Sequence, residues 1–293
     1  MIQGIKPLGR ERLWLLLLLA PTLLGLLFGA VGSVAASAAI SLLDWDLLTP
    51  PTWVGLQNYL ELPTDRLFLQ SLRVTAQFAA MYVPGVILLS LAVALLLNRR
   101  IRGVSFFRVV FFLPVISSSV AVGLLWTWVY AQDNGLLNNL ITALGGEPVR
   151  WLCRDLVLYS VTLVNIWGAV GEGMIIFLAG LQAVPRDYYE AAKLDGASGL
   201  QRLTNVTLPL IVPSIFFQAV ISTINAFQVF EYVYILTRTS SGGSTMPTLV
   251  FTIYRNGFNY FRMGQASAQA IVLAAIIFAL TLFYFRLQRR WVV

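Results

Sequence analysis

Histidine is absent from this chain of 293 residues, and cysteine occurs once, as Cys153. The absence of histidine excludes imidazole acid–base catalysis, haem axial histidines and His/Cys zinc sites. A single cysteine excludes a disulfide within the chain. Lysine is almost as rare, because the sequence contains only Lys6 and Lys193. Neither lysine lies in the Gly-Lys-Ser/Thr order of a Walker loop, which excludes ATP binding through that motif.

Charged residues are scarce, at 11% of the chain, whereas 58% of the residues are hydrophobic. A typical soluble domain has about 25% charged residues, so this composition indicates a membrane protein. Six apolar stretches reach the ~20 residues that a helix needs to cross a bilayer. They are residues 13–43, 74–98, 109–132, 156–185, 203–237 and 263–285. We therefore predict an all-α integral membrane protein with six transmembrane helices, which contain only two charged residues, Glu172 and Glu231.

The segments between these stretches differ in their content of basic residues. Those on the side of the two chain termini hold most of the 20 Lys and Arg residues. This bias predicts that both termini are cytoplasmic, in a protein of the cell inner membrane. We therefore interpret the net charge of +7 as membrane topology and not as a nucleic-acid-binding surface. No linker divides the chain, so we predict one membrane domain over residues 1–293, with its core at about 69–286.

The segment between the fourth and fifth apolar stretches predicts two short helices outside the membrane, on the cytoplasmic side. Pro185 suits the first position of a helix, and Gly196 suits a left-handed C-terminal cap. Ser198 would begin the second helix, with Gln201 three residues on in the order of a capping box. Two such helices at the membrane surface would form a rigid projection that a partner protein could hold.

Three short strings in this segment resemble the coupling loop of binding-protein-dependent ABC importer permeases. They are Glu190-Ala191-Ala192, Asp195-Gly196-Ala197 and Leu208-Pro209. The chain is most similar to the sugar branch, the maltose-type permeases, from about residue 74 onwards, including Gly242-Gly243. Leu203 and Val206 replace the Phe and Ile that the family often has, but both keep the surface apolar. The alternative interpretation is a solvated linker that contacts nothing.

The resemblance implies a permease subunit that forms half of a translocation pathway and contacts a separate ATPase through this loop. The ATPase-coupling residues that it implies are Tyr189, Glu190, Ala191, Ala192, Asp195, Gly196 and Leu203. It also implies two ATPase subunits that bind ATP and Mg²⁺, an outer solute-binding protein, surrounding membrane lipid and a second permease, which we expect to be a different chain. For this chain alone we predict no enzymatic activity, no cofactor, no metal site and no nucleic-acid partner.

Polar side chains within the apolar stretches are candidates for contacting a solute, because a polar solute needs polar groups inside the helix bundle. Ser222, Asn225, Gln228 and Tyr232 recur at helical spacing in the fifth stretch. In the maltose-type permeases, the position of Ser222 is a serine that lines the sugar site, and that of Glu172 is a sugar-contacting tyrosine. We therefore predict Glu172, Ser222, Asn225 and Gln228 in the substrate pathway. Hydrogen bonding to the partner permease is the alternative.

No Lys or Arg lies within any of the apolar stretches, which favours a neutral sugar as the solute. A glycerol-phosphate-type or other polyol solute is the alternative within the same class. An ion-coupled secondary transporter or an enzyme of lipid-linked sugars would instead use Glu172 and Glu231. An enzyme needs its two carboxylates within about 5–10 Å, whereas we expect Glu231 near the outer surface and Glu172 near mid-membrane. Only the importer predicts a bound subunit with a Walker loop.

Overall fold

The computed structural model describes residues 9–99, 102–153, 155–238 and 246–288, so Lys6 and Gly242-Gly243 lie outside the described residues. The described part is mostly helical. Its α-helices are α1 Gly9–Gly25, α2 Gly32–Ile40, α3 Gln57–Glu61, α4 Arg66–Leu97, α5 Val104–Ile116, α6 Ser119–Val129, α7 Leu136–Ala143, α8 Val157–Ala183, α9 Arg186–Leu194, α10 Gly199–Arg202, α11 Leu208–Leu210, α12 Val212–Phe227, α13 Glu231–Arg238, α14 Leu249–Tyr254 and α15 Met263–Gln288. Shorter turns are the π-helical Leu26–Val31, Leu203–Thr207 and Arg255–Asn259 and the 3₁₀ turn Leu62–Thr64. A hairpin pairs β1, Leu43–Asp44, with β2, Thr52–Trp53.

Four helical segments are long and apolar enough to cross a membrane. They are Trp14–Ile40, Arg66–Leu97, Val157–Ala183 and Met263–Leu287. Two further candidates are bent helix pairs: α5 with α6 at 99°, and Gly199–Leu210 with α12 at 66°. The prediction of an all-α membrane protein is confirmed. The described residues contain four candidate spans, or six if each bent pair crosses as one unit, so the count of six stays a prediction.

The first bend divides the apolar stretch 109–132, for which the sequence predicted one continuous helix. Ser117 and Ser118 adopt extended backbone angles, with ψ of 146° and 125°. The Ser117 hydroxyl donates a hydrogen bond to the Leu113 carbonyl at 2.8 Å. Serine side chains compete in this way with helical main-chain bonds, and Pro114 just before them cannot donate one. The helix therefore ends at Ile116 and restarts in a new direction at Ser119.

The second bend lies at Ile211, between two prolines. Pro209 and Pro213 both lack the N–H that would continue the helical hydrogen-bond ladder. Ile211 has φ −97° and ψ 8°, outside the helical region. The stretch 203–237 is thus not one helix but a π-helical turn followed by α11, α12 and α13.

Helices α4 and α8 form the centre of the fold. Their buried side chains include Phe78 and Val86 on α4 and Val161 and Val164 on α8. The two helices approach closely at Gly85, where an added Cβ would lie 2.5 Å from the Ile166 side chain. Small residues permit such contacts between membrane helices, where van der Waals packing drives association. This pair forms the core on which the bent helices α5, α6, α12 and α13 are arranged.

The first span contributes little to this core. The most apolar part of the segment Trp14–Ile40 has no buried residue within this chain. This segment contacts the other helices mainly between α2 and α15 and through the hairpin that follows α2. The Asn58 amide donates hydrogen bonds to the Ser41 and Leu43 carbonyls, both at 2.9 Å, and so fixes the hairpin. The division of the chain into one domain with a core at 69–286 stays a prediction.

Candidate functional site

Helix α9 is closed at its C-terminus by the glycine that the sequence analysis singled out. Gly196 has φ +75°, and its N–H donates to the Lys193 carbonyl at 3.0 Å. The Ala197 N–H donates to the Ala192 carbonyl at 2.9 Å. These two bonds form a Schellman cap, which needs a left-handed residue at the position of Gly196. At the other end, Pro185 is the N-cap, one residue earlier than predicted.

The second short helix, α10, has the predicted capping box. The Ser198 hydroxyl accepts a hydrogen bond from the Gln201 N–H at 3.3 Å, and the Gln201 side chain accepts one from the Ser198 N–H at 2.8 Å. Both bonds satisfy N–H groups that a helix terminus leaves unpaired. These local hydrogen bonds fix the turn between α9 and α10 and the start of α10.

The predicted coupling residues occupy two sides of this unit. The first group is exposed: Glu190, Ala191, Asp195 and Gly196. The second group is half-buried: Tyr189, Ala192 and Leu203. Tyr189 and Leu203 line a groove of about 770 Å³ between this unit and the ends of α4 and α8. The exposed group is thus available to a partner, whereas Tyr189 and Leu203 face the ends of the membrane helices.

Two exposed leucines on the same unit were not among the predicted residues. Leu194 is 90% exposed and Leu200 is 70% exposed, in the turns that flank Gly196. An exposed leucine by itself is unremarkable, but two large apolar side chains on a charged loop form a surface typical of protein contacts. Their position, within four residues of the Asp195-Gly196 turn on either side, is the sequence signal that could have identified them.

An open cavity of about 490 Å³ lies beside α8, between the break that separates α5 from α6 and the break that separates α12 from α13. Its wall is formed by α4, by the break between α5 and α6, by α8 and by the residues that join α12 to α13. The polar lining residues are Tyr82, Ser117, Ser119, Asn165, Glu172, Asn225, Gln228, Glu231 and Tyr232. Three of the four predicted pathway residues, Glu172, Asn225 and Gln228, are therefore brought together. That they contact a solute stays a prediction.

Ser222, the fourth predicted pathway residue, does not line this cavity. It is 1% exposed, and its hydroxyl accepts a hydrogen bond from the Gln218 amide at 2.9 Å. The predicted polar stripe also does not follow one helix, because α12 ends at Phe227 and Gln228 is its C-cap. Gln228 and Tyr232 reach the cavity from the break and from α13, so the chain bend and not helical periodicity groups them with Asn225.

The cavity contains two carboxylates, Glu172 and Glu231, which the sequence analysis expected at different depths. Both are lining residues, and no Lys or Arg is among the lining residues. Glu172 is placed by its neighbours: a Cβ on Gly171 would overlap the Phe111 carbonyl, and one on Gly173 would lie 2.5 Å from the Ser90 hydroxyl. The two glycines therefore let α5 and α4 approach α8 on either side of the carboxylate.

The fold of bent membrane helices around a polar cavity, with a capped loop exposed at one end, defines a membrane transport component. The family model described as "Binding-protein-dependent transport system inner membrane component" matches residues 80–293, and the chain belongs to this family. It is therefore a permease component of an ABC importer. Family membership does not support the alternatives of an ion-coupled carrier and of a lipid-linked-sugar enzyme.

Relatives and solved structures agree with this assignment. The chain is 37% identical over 280 residues to the probable ABC transporter permease protein YesP of Bacillus subtilis strain 168, covering 94% of this chain and 90% of the relative. It is 32% identical over 250 residues to the trehalose/maltose transport system permease protein MalF of Thermococcus litoralis, covering 84% and 83%. A crystal structure of a bacterial ABC transporter involved in the import of the acidic polysaccharide alginate matches with a TM-score of 0.84 at 25% identity, covering 97% of this chain and 98% of that one.

Proposed function

We propose that this chain forms half of a pathway through the cell inner membrane for a sugar or related small polar solute. The observation that carries the proposal is the cavity that contains Glu172, Asn225 and Gln228. Carboxylates and amides at this position would exchange hydrogen bonds with the hydroxyl groups of a sugar. The break between α5 and α6 opens one side of this space, because extended backbone at Ser117 and Ser118 turns α6 away from α5.

The names of relatives support a sugar as the solute class. Besides the trehalose/maltose permease, the chain resembles a probable permease for starch degradation products of Thermoanaerobacterium thermosulfurigenes, at 29% identity. A glycerol-phosphate-type solute is the alternative, since an sn-glycerol-3-phosphate permease of Agrobacterium fabrum is 32% identical. Either solute carries hydroxyl groups that can bond the carboxylates and amides of the cavity. A phosphate would also need cationic groups, which are absent from the residues that line this cavity.

ATP would be hydrolysed on separate subunits that contact the α9–α10 unit from the cytoplasm, where both chain termini would also lie. Two ATPase subunits would bind ATP and Mg²⁺, and this chain would contribute the coupling residues. Exposed Glu190, Asp195, Leu194 and Leu200 present both charge and apolar surface to such a partner. The sequence has no Walker lysine, so this chain would not hydrolyse ATP itself.

A second permease would complete the pathway, and an outer solute-binding protein would deliver the solute. The exposed apolar surface of the segment Trp14–Ile40 is available to lipid or to the second permease. A solved neighbour is described as an alginate ABC transporter in complex with a periplasmic protein bound to an alginate pentasaccharide. The same arrangement, with a different chain as second permease, is proposed for this protein.

The test is to isolate the assembled complex through a tag on this chain and to identify its subunits by mass spectrometry. We expect a chain with a Walker loop and a second permease to copurify. ATP turnover should be present in the complex and absent from this chain alone. Stoichiometric ATP turnover by the isolated chain, or ion-driven uptake without any ATPase subunit, would contradict the proposal.

A further inference from the structure

A second cavity, of about 550 Å³, lies beside the first and has the opposite charge. It is formed by α13, α14 and the π-helical turn Arg255–Asn259. Its lining residues are Tyr234, Thr237, Arg238, Phe251, Tyr254, Arg255 and Asn259. We name it the arginine–aromatic pocket. It has two guanidinium groups and three aromatic rings, and no Asp or Glu is among these lining residues.

Arg238 is held in place by an aromatic neighbour one turn earlier on α13. Its guanidinium lies over the Tyr234 ring, 5.6 Å from the centroid, and donates a hydrogen bond to the Tyr234 hydroxyl at 2.5 Å. Tyr234 also hydrogen-bonds Tyr254, and this bond raises the pKa of the Tyr254 phenol. The contact with a ring face and a hydroxyl orients the guanidinium without neutralising it.

Arg255 is held in the same way from the other side of the pocket. Its guanidinium lies 5.8 Å from the centroid of Phe251 and 5.2 Å from that of Tyr260, and it donates a hydrogen bond to the Tyr260 hydroxyl. An arginine has five N–H donors in a rigid fork that matches a carboxylate or a phosphate. Each of the two arginines uses one donor on a neutral hydroxyl, which leaves others for a ligand.

Among the residues that the structure describes, no carboxylate is placed to neutralise these arginines. Within the described ranges, neither Arg238 nor Arg255 forms an ion pair. The sequence 239–245, which follows Arg238 directly, contains no Asp or Glu. Two fixed guanidinium groups on one pocket therefore attract an anion, and the aromatic rings beside them offer flat apolar faces of the kind that pack against sugar rings.

One side chain separates this pocket from the proposed solute cavity. Phe230 lines the first cavity, and its ring lies 5.4 Å from that of Tyr234 and 5.1 Å from that of Tyr254. Both tyrosines line the arginine–aromatic pocket. The pocket is thus adjacent to the solute cavity across a single ring. This adjacency favours the transported solute as its ligand over a lipid headgroup.

We propose that the arginine–aromatic pocket is an outer binding site for a saccharide that carries an anionic group, such as the carboxylate of a uronic acid. Arg238 and Arg255 bind the anionic group, and the ring of the sugar lies against Tyr254. A volume of about 550 Å³ is within the size range of small-molecule sites. The inference rests on the proposed function and specifies its substrate class.

The opposite charges of the two cavities would orient the saccharide between them. The anionic end is attracted to Arg238 and Arg255, whereas the hydroxyl-rich end can donate hydrogen bonds to Glu172 in the first cavity. Glu172 and Glu231 would both repel the anion, which favours the orientation in which the anionic group stays at the two arginines. The preference for a neutral solute came from the apolar stretches alone, whereas Arg238 and Arg255 both lie outside them.

The test uses the purified complex in nanodiscs of neutral phosphatidylcholine and two matched pairs of sugars. Galacturonate and galactose, and glucuronate and glucose, differ in charge at C6. Isothermal titration calorimetry should show at least one acid binding about tenfold or more tightly than its neutral partner. Arg238→Gln and Arg255→Gln should each weaken binding of that acid about tenfold or more, since a hydrogen bond to a charged group is lost. Arg262→Gln, an exposed arginine outside the pocket, is the matched control.

Three results would overturn the inference. The first is equal affinity for the acid and the neutral sugar in both pairs. The second is that the wild type binds no acid, and that phosphatidylglycerol copurifies with the wild type but not with the arginine variants. That result would mark a lipid site. The third is unchanged acid binding in variants that lose stimulation by the solute-binding protein, which would mark a docking surface. If the complex assembles and hydrolyses ATP, these results leave the proposed function intact.

Discussion

The Tyr189 hydroxyl lies 3.1 Å from the Thr207 hydroxyl and joins α9 to the turn that precedes α11 and α12. Tyr189 also packs against the buried cluster around Phe177 and Ile211. One side chain thus connects the exposed α9–α10 unit to the base of the helix that bears Asn225. A force applied to α9 by a partner would reach α12 through this contact. The contact therefore offers the predicted coupling residues a physical route towards the cavity.

Tyr189→Phe should weaken this connection without unfolding the unit. It removes a hydrogen bond of about 0.5–1.5 kcal/mol and keeps the ring in the groove. We expect intact assembly, normal ATP turnover and less uptake per ATP hydrolysed, measured in proteoliposomes. Tyr188→Phe is the matched control, because Tyr188 is exposed on the same helix. Equal uptake per ATP in both variants would show that the hydroxyl contact does not transmit motion.

Gly196→Pro should disrupt the α9–α10 unit, because proline cannot adopt the φ of +75° found at Gly196. The substitution also removes the N–H that bonds the Lys193 carbonyl. We expect loss of the ATPase subunit on copurification, with the permease still in the membrane. Gly199→Pro is the control three residues on, at the first position of α10, where proline is tolerated and nothing lies within 4 Å of an added Cβ. Normal transport by the Gly196 variant would show that the loop does not couple.

Gly171→Ala should separate α8 from α5, because the new methyl group would overlap the Phe111 carbonyl. Overpacking of this kind costs about 1–3 kcal/mol. Thermal unfolding of the detergent-solubilised complex should shift to lower temperature. Gly29→Ala, which has nothing within 4 Å of its added Cβ, should leave the transition unchanged or raise it slightly. An unchanged unfolding temperature in the Gly171 variant would indicate that α5 can move away from α8 at little cost in free energy.

The orientation of the chain can be tested by cysteine labelling in a Cys153→Ser background. A cysteine at Ser198 should react with a membrane-impermeant reagent only from the cytoplasmic side. A cysteine at exposed Asn139, in α7 between the third and fourth predicted spans, should react only from outside. Labelling of both positions from one side would contradict the inside location of both termini and the crossing of α8.

The sequence was sufficient to predict features that depend on residues close together in the chain. The cap at Gly196 and the capping box at Ser198 involve hydrogen bonds across three to five residues, so residue types and spacing predicted them. The bends were not predicted, although Pro114, Pro209 and Pro213 were visible. A proline in a membrane helix is tolerated whenever neighbouring groups satisfy the freed carbonyls. Whether a helix bends there depends on packing against α8, which local sequence does not specify.

The predicted pathway residues also show that sequence spacing alone does not determine which side chains reach the cavity. Ser222 and Asn225 are three positions apart on α12 and were assigned to one face by helical spacing. The structure places Ser222 in a hydrogen bond with Gln218, one turn earlier, and only Asn225 at the cavity. Both positions are polar, so periodicity could not tell which serves an internal hydrogen bond. Glu231 joined the site for a different reason, because the chain breaks after Gln228 and α13 turns back towards α8.

The last prediction concerns Glu172 and Asn225, which line the cavity, and Ser222, which is buried. Glu172→Gln keeps the shape of the side chain and removes its charge, and Asn225→Leu removes a polar group from the same wall. Each should lower solute uptake by about tenfold, the effect of losing one hydrogen bond to or from a charged or polar partner at the site. Ser222→Ala leaves the buried Gln218 amide without its acceptor, so it should lower stability and leave the solute dependence of uptake unchanged.

Uptake, its dependence on solute concentration and the stability of the complex must be measured together for these three variants. If Glu172 and Asn225 contact the solute, the apparent KM for uptake rises while the second permease remains bound. If both variants instead lose the second permease on purification, the two residues stabilise the subunit interface and the cavity assignment is wrong. A raised KM in the Ser222 variant with normal stability would show that Ser222 turns towards the solute in another state of the transport cycle, as its position in the maltose-type permeases implies.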